Sequence, residues 1–138
     1  MATFIADKSA LTRRDTRPEV RDALEPLLLA GEVATCGIGD LELLYSASSR
    51  TTYRALAEAL RGMPRVPLET ACVDRALEVQ AMLAERSQHR AVPLSDLLVA
   101  ACAEQAGLSV LHYDADFERI AKLTGQEVQW IVPRGSVS

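Results

Sequence analysis

A chain of 138 residues, 49% of them apolar and 25% charged, has the size and composition of one soluble globular domain with a single core. A net charge of −4 argues against coating nucleic acid by bulk charge. No apolar run reaches the length of a membrane span, and "MATFIADKSA" lacks the basic start and apolar stretch of a secretory signal, so cytoplasmic residence is expected. The three cysteines, Cys36, Cys72 and Cys102, are odd in number and far apart, with no C-x-x-C pair. They read as reduced thiols serving as small apolar residues, not as a disulfide framework or a zinc site. The positive charge is almost all arginine, with Lys8 and Lys122 the only lysines. That bias suits bidentate phosphate recognition and equally suits GC-rich coding.

In chain order, "TFIAD" reads as a short strand ending at Asp7. "RPEVRDALEPLLLAG" reads as a helix with Pro18 near its start, Val20, Leu24 and Leu27 or Leu28 on one face, Gly31 as its stop, and Pro26 predicting a kink or early break. "EVATCGI" is a second strand. "GDLELLYSASS" and "TTYRALAEALRGM" are two helices, and "PRVPLE" is a short extended piece bounded by Pro64 and Pro67. "ETACVDRALEVQAMLAERSQH" is a long helix with Ala76, Val79 and Leu83 on its apolar face. "PLSDLLVAACAEQAG" is another, with Ser95 the expected N-cap and Gly107 the expected stop. "LSVLHY" is a strand, "DFERIAKLTG" a helix and "EVQWIV" a last strand, and "VPRGSVS" resembles a protease-site scar with no functional weight. Strands alternating with helices predict an α/β domain with a mainly parallel sheet, whose ligands bind beyond the carboxyl ends of the strands.

Acidic residues stand at those ends. Asp7 follows the first strand, Glu42 sits among Leu41, Leu43 and Leu44, Asp96 opens a helix, and Asp114 and Asp116 follow "LHY". Taken singly, Asp96 is adequately explained as a helix cap, and Asp114 or Asp116 as an Asx turn. Together they form a set that is costly to bury without a cation. Carboxylates favour hard ions such as Mg²⁺ or Mn²⁺, which bind phosphate and assist phosphodiester hydrolysis. Lys8, Arg13, Arg14 and Arg17 follow the first strand and are candidate rim residues for a phosphodiester substrate, with Arg50, Arg54, Arg86 and Arg90 as further candidates. Tyr45, Tyr53 and Tyr113 are expected to be ordinary packing, His89 and His112 surface or strand-end residues, and Trp130 core.

The blocks "IADKSAL", "GDLELLYSA", "PLSDLLVAACAEQAGLSVLHYDADFERIA" and "VQWIV" resemble the ordered blocks of the PIN-domain ribonucleases, and among them the VapC toxins of type II toxin–antitoxin systems. The resemblance covers essentially the whole chain, and its most specific part is D-x-L-x-A-A, a glycine, a strand, then D-x-D-F. It implies a PIN-like three-layer α/β domain over residues 1–133, with about five mainly parallel strands flanked by helices, and a flexible tail over 134–138. It implies a catalytic set of Asp7, Glu42, Asp96 and Asp114. It also implies Mg²⁺ or Mn²⁺ held by Asp7, Asp96, Asp114 and Asp116, with Asp7 and Asp96 the direct ligands and Ser9 orienting the first aspartate. Lys8 is a less usual middle residue in the opening D-x-S. The implied activity is endonucleolytic cleavage of tRNA or rRNA loops by a metal-activated water, in a homodimer silenced by a cognate VapB antitoxin. Two other readings compete. One is a PIN-like binding or regulatory module without chemistry. The other, a doubly wound nucleotide enzyme, lacks both G-x-G-x-x-G and a P-loop, since "CGIGD" reads as a strand-to-helix turn.

Overall fold

The computed structural model describes residues 2–138. Its elements in chain order are β1 (Phe4–Ala6), α1 (Lys8–Leu11), α2 (Pro18–Leu29), β2 (Val33–Cys36), α3 (Gly37–Tyr45) and α4 (Arg50–Arg61). These are followed by β3 (Arg65–Val66), α5 (Thr70–Ala84), α6 (Leu94–Ala106), β4 (Ser109–His112), α7 (Ala115–Thr124) and β5 (Val128–Trp130). The strands form one five-stranded sheet in the order β3-β2-β1-β4-β5, and every pairing is parallel. The expected α/β architecture is therefore present, with all strands parallel.

The two faces of the sheet follow from the two-residue period of its strands. Ile5, Ala34, Cys36 and Val110 face a core built with α5, α6 and α7, through residues such as Leu83, Val99, Cys102, Phe117 and Ile120. Their neighbours Ala6, Val33 and Leu111 point the other way, into a smaller core with Ala10, Val20 and Leu24 of α1 and α2. β1, β2 and β4 are covered on both sides, which is why they read as apolar runs and not as alternating ones. All three cysteines are buried free thiols, as expected. Among the described residues no helix is long and apolar enough to cross a membrane.

Four local features add to the reading of the sequence. Four-residue α1 follows Asp7 directly and is too short to show a periodicity. α2 continues through Pro26 to Leu29, because Leu24 before it and Leu27 and Leu28 after it pack against the same core. α6 is capped by Pro93, and the Ser95 hydroxyl instead donates to Glu42 Oε2 at 2.8 Å. Residues Gly135 and Val137, in the segment expected as a tail, are hydrogen-bonded to Tyr113. Its Oη donates to the Val137 carbonyl at 2.7 Å and accepts from the amides of Gly135 at 2.9 Å and Val137 at 3.2 Å.

Helix ends show one further detail. α2 and α6 close with a six-to-one hydrogen bond across a left-handed glycine: Glu32 N to Leu27 O across Gly31, and Leu108 N to Ala103 O across Gly107. α5 closes in the same way, with Gln88 N bonded to Leu83 O, but the left-handed position is Ser87 at φ 55°. A side chain there costs about 1 kcal/mol relative to glycine. Ser87→Gly is expected to raise the unfolding free energy by about that amount, measured by urea denaturation at unchanged slope.

Candidate metal centre

The pairing of Ala6 with Leu111 and the hydrogen bond from Asp7 N to Leu111 O, at 2.9 Å, bring the ends of β1 and β4 side by side. Each strand then ends in the same device, an aspartate in extended conformation that caps the next helix. Asp7 Oδ2 accepts from Ser9 N and Asp114 Oδ1 accepts from Asp116 N, both at 2.9 Å. Capping uses one oxygen of each carboxylate and leaves the other out of that bond. Asp96, in the first turn of α6, comes to the same edge with 3% exposure. Glu42 arrives from α3, held by Ser95 and by Lys8 Nζ at 3.2 Å.

Two carboxylate groupings result. Asp7, Glu42 and Asp96 each place one oxygen within 4.8 Å of the others, and so do Asp96, Asp114 and Asp116, with Asp96 common to both. Asp7 Oδ1, Glu42 Oε1 and Asp96 Oδ2 are buried without a hydrogen-bond partner in the protein. Three carboxylates gathered this closely, each with a buried oxygen that has no donor, are a large desolvation cost for a protein alone, and carboxylate oxygen is the donor type a hard divalent cation requires. The residues present therefore fit such an ion.

The electrostatics agree. Burial first, and then the charges of Asp7, Asp114, Glu42 and Asp116, push the Asp96 carboxyl up to about 8. Burial also raises Asp7, with Glu42 and Asp114 adding to the rise and its hydrogen bonds with Ser9 opposing it. Asp116 is raised by burial and by Asp114, against the opposing charge of Arg119. The Lys8 ammonium is held above its ordinary value chiefly by Glu42.

Against this geometry, the sequence matches the family model of the PIN domain over residues 5–123. The chain belongs to the PIN-domain family. It is 47% identical over 134 residues to Ribonuclease VapC51 of Mycobacterium tuberculosis, covering 97% of this chain and 96% of that one. With Ribonuclease VapC18 of the same organism it shares 43% identity over 136 residues, covering 97% and 98%. Its fold is that of the chain matched in a DNA-bound VapBC structure from Salmonella typhimurium, with a TM-score of 0.78 at 19% identity, covering 96% of this chain and 100% of that one.

Around the carboxylates, this PIN domain differs in several places from what its sequence suggests. Ser9 holds Asp7 through its backbone N–H, while its hydroxyl accepts from Tyr113 N at 2.8 Å and so ties α1 to the end of β4. Ser9→Ala strands that amide, and a loss of about 1–2 kcal/mol in chemical denaturation is expected. Lys8 is paired with Glu42, and Arg14 with Glu25 at 2.7 Å. Arg13 donates to Ser9 O at 2.7 Å and lies 4.7 Å from the Tyr113 ring centroid. These three rim candidates are thus engaged within the chain, and the fourth, Arg17, donates to Ser138 Oγ at 2.6 Å.

His112 lies at a strand end as expected but is fully buried, between Phe117 and Trp130, with Nδ1 accepting from Asp114 N at 3.1 Å. Burial lowers it to about 4, so it is neutral and helps shape the turn that presents Asp114. Nothing in the sequence but its place in the strand alternation signals that role. Tyr45, expected to pack, is 93% exposed, and Tyr53 is exposed as well. Trp130 is only half-buried, donating Nε1–H to Glu118 at 2.7 Å. Asp40, two residues before Glu42, is buried and paired with Arg65 at 2.8 Å, away from the carboxylate groupings.

Proposed function

We propose that this PIN domain is a Mg²⁺- or Mn²⁺-dependent endoribonuclease toxin that hydrolyses phosphodiester bonds in loops of tRNA or rRNA. The observation that carries the reading is the gathering of Asp7, Glu42 and Asp96, each with a buried carboxylate oxygen that has no partner, beside Asp114 and Asp116. RNA as substrate is supported by the ribonuclease names of relatives that align over nearly the whole chain.

In this reading Asp7 and Asp96 hold the ion directly, and Asp114 and Asp116 complete its surroundings. When bound, a divalent cation supplies charge to polarise the scissile phosphate and acidify a water molecule. Glu42, oriented by Lys8 and Ser95, and Asp114, fixed as a helix cap, are the groups positioned to align the attacking water and take its proton. Lys8 also reduces the repulsion that this acidic edge exerts on an incoming phosphate. Ser9 serves as a fastener and not as a nucleophile, because its hydroxyl accepts from Tyr113 N and no imidazole is bonded to it to take its proton.

A VapB-type antitoxin is the proposed partner, a choice supported by VapBC complexes among the structural neighbours, and its C-terminal segment is proposed to cover the acidic edge. An apolar groove of about 590 Å³ lined by Leu11, Leu28, Leu29, Leu56 and Met63 suits an amphipathic segment of such a partner. The active form is proposed as a cytoplasmic homodimer. The test is to sequence 5′ ends of cellular RNA after brief induction. New ends at a small set of tRNA or rRNA loops are expected with the wild-type chain and none with Asp7→Asn. The same new ends from both chains would overturn the assignment. Calorimetric titration showing no uptake of Mn²⁺ would favour a binding module in its place.

A further inference from the structure

A second charged feature lies beside the acidic edge and is not used by the mechanism above. It is a cleft of about 390 Å³ between the α5–α6 connection, one face of α7 and the residue stretch after β5. Four cations, Arg86, Arg119, Lys122 and Arg134, line it, all exposed and none joined to a carboxylate among the described residues. Its one acid, Glu118, accepts the Trp130 indole N–H. The Arg134 guanidinium sits 5.6 Å from the centroid of that same indole ring. In a chain with net charge −4, this is a local excess of positive charge.

The cleft reaches the start of α7, where two of the carboxylates stand. Ala115, on its wall, lies between Asp114 and Asp116, and the positive charge of Arg119 acts on the Asp116 carboxyl. A polyanion with one phosphate at the carboxylates meets repulsion from any acid the ion does not neutralise. It meets four unpaired cations one turn and two turns further along α7 and on the elements facing it. Guanidinium groups match phosphate oxygens in bidentate geometry, and each neutralised phosphate releases counterions. Of the cations expected from sequence to form the RNA rim, Arg13 and Arg14 are engaged within the chain, while Arg86, one of the further candidates, lines this cleft.

We propose that the cleft formed by Arg86, Arg119, Lys122 and Arg134 binds the phosphate backbone of the RNA strand as it leaves the acidic centre. The proposal rests on RNA being the substrate. It makes α7 a two-sided element, with its first turn presenting carboxylates to the reacting phosphate and its outer face presenting cations to neighbouring phosphates.

The test uses the full chain carrying Asp7→Asn, in Mg²⁺, and an unstructured 5′-fluorescein-labelled RNA followed by anisotropy across a salt series. Arg86→Gln, Lys122→Gln and Arg134→Gln are compared with Arg61→Gln, an exposed residue of α4 paired with Glu58. Each cleft substitution is expected to weaken binding roughly 5-fold near physiological salt and to reduce the slope of log affinity against log salt by about 0.7. Arg61→Gln is expected to change neither. Unchanged affinity and slope in all three cleft variants, while the Asp7→Asn parent binds the RNA, would overturn the cleft and leave the ribonuclease reading standing. No RNA binding by the parent even at low salt would remove both. A labelled polyglutamate peptide whose binding falls in the cleft variants while RNA binding does not would show an acidic protein segment to be the occupant, and so would also overturn the proposal.

Discussion

Asp96→Asn is expected to abolish RNA cleavage and, in the same molecule, to raise the melting temperature of the metal-free protein at about pH 8. Asp96 belongs to both carboxylate groupings, is 3% exposed, and has one oxygen without any partner in the protein. Its removal takes away the carboxylate that both groupings share, and a loss of about 10³-fold or more in cleavage rate is expected. Asparagine keeps the shape and discards the charge that Asp7, Glu42, Asp114 and Asp116 oppose. The stability gain follows in direction from that relief and should reach on the order of 10 °C in EDTA at about pH 8. Near pH 4, where the wild-type carboxyl is already protonated, the two proteins should melt together. Asp7→Asn is the informative companion. Its cap to Ser9 N survives in the amide and its charge is opposed by burial, Glu42 and Asp114, so activity falls and the metal-free protein at about pH 8 should again melt higher than wild type. Measurable cleavage by Asp96→Asn at the wild-type rate, or a lower melting temperature at about pH 8, would contradict the shared-site geometry.

The second large effect is a reversal of the pH dependence of stability by divalent ions. The Asp96 carboxyl has a higher pKa folded, at about 8, than its ordinary value of 3.8, so the folded chain binds protons more tightly than the unfolded one. The associated stability is fully present below the ordinary carboxylate range and is lost as pH rises toward 8. Asp7 and Asp116 shift in the same direction and reinforce the trend. In EDTA the melting temperature is therefore expected to fall between about pH 5 and pH 8. Saturating Mn²⁺ should raise it more at the upper end than at the lower, because at low pH the ion must displace protons. Calorimetry at about pH 7 in buffers of different ionisation enthalpy should detect release of roughly one proton per ion bound. An equal gain from Mn²⁺ at both pH values, with no proton release, would contradict a centre built on Asp96.

How much of the centre was legible beforehand differs from residue to residue. Asp7 and Asp114 were visible because each ends an apolar run, and in a parallel sheet strand ends open on one edge. Asp96 looked like an ordinary helix-start acid, and only the packing of α6 against the sheet makes it the member common to both groupings. Glu42 and Asp40 are two residues apart on one helix. That spacing turns them about 200° from each other, so one reaches the carboxylates and the other pairs with Arg65. Nothing local says which does which. The same limit applies to the arginines. Arg14 and Arg119 are equivalent as sequence, but one meets Glu25 and the other no carboxylate within salt-bridge reach.

The amino-acid order by itself determined the alternation of short apolar strands with amphipathic helices, the left-handed stop at Gly107, and the placing of carboxylates where strands end, because these depend on period, turn chemistry and neighbours along the chain. Only the tertiary structure decided the strand order β3-β2-β1-β4-β5, the gathering of Glu42 and Asp96 beside Asp7, the burial of His112, and which cations stay unpaired. Those outcomes depend on groups distant in sequence meeting in space, where burial and mutual repulsion act on atoms that local pattern does not relate.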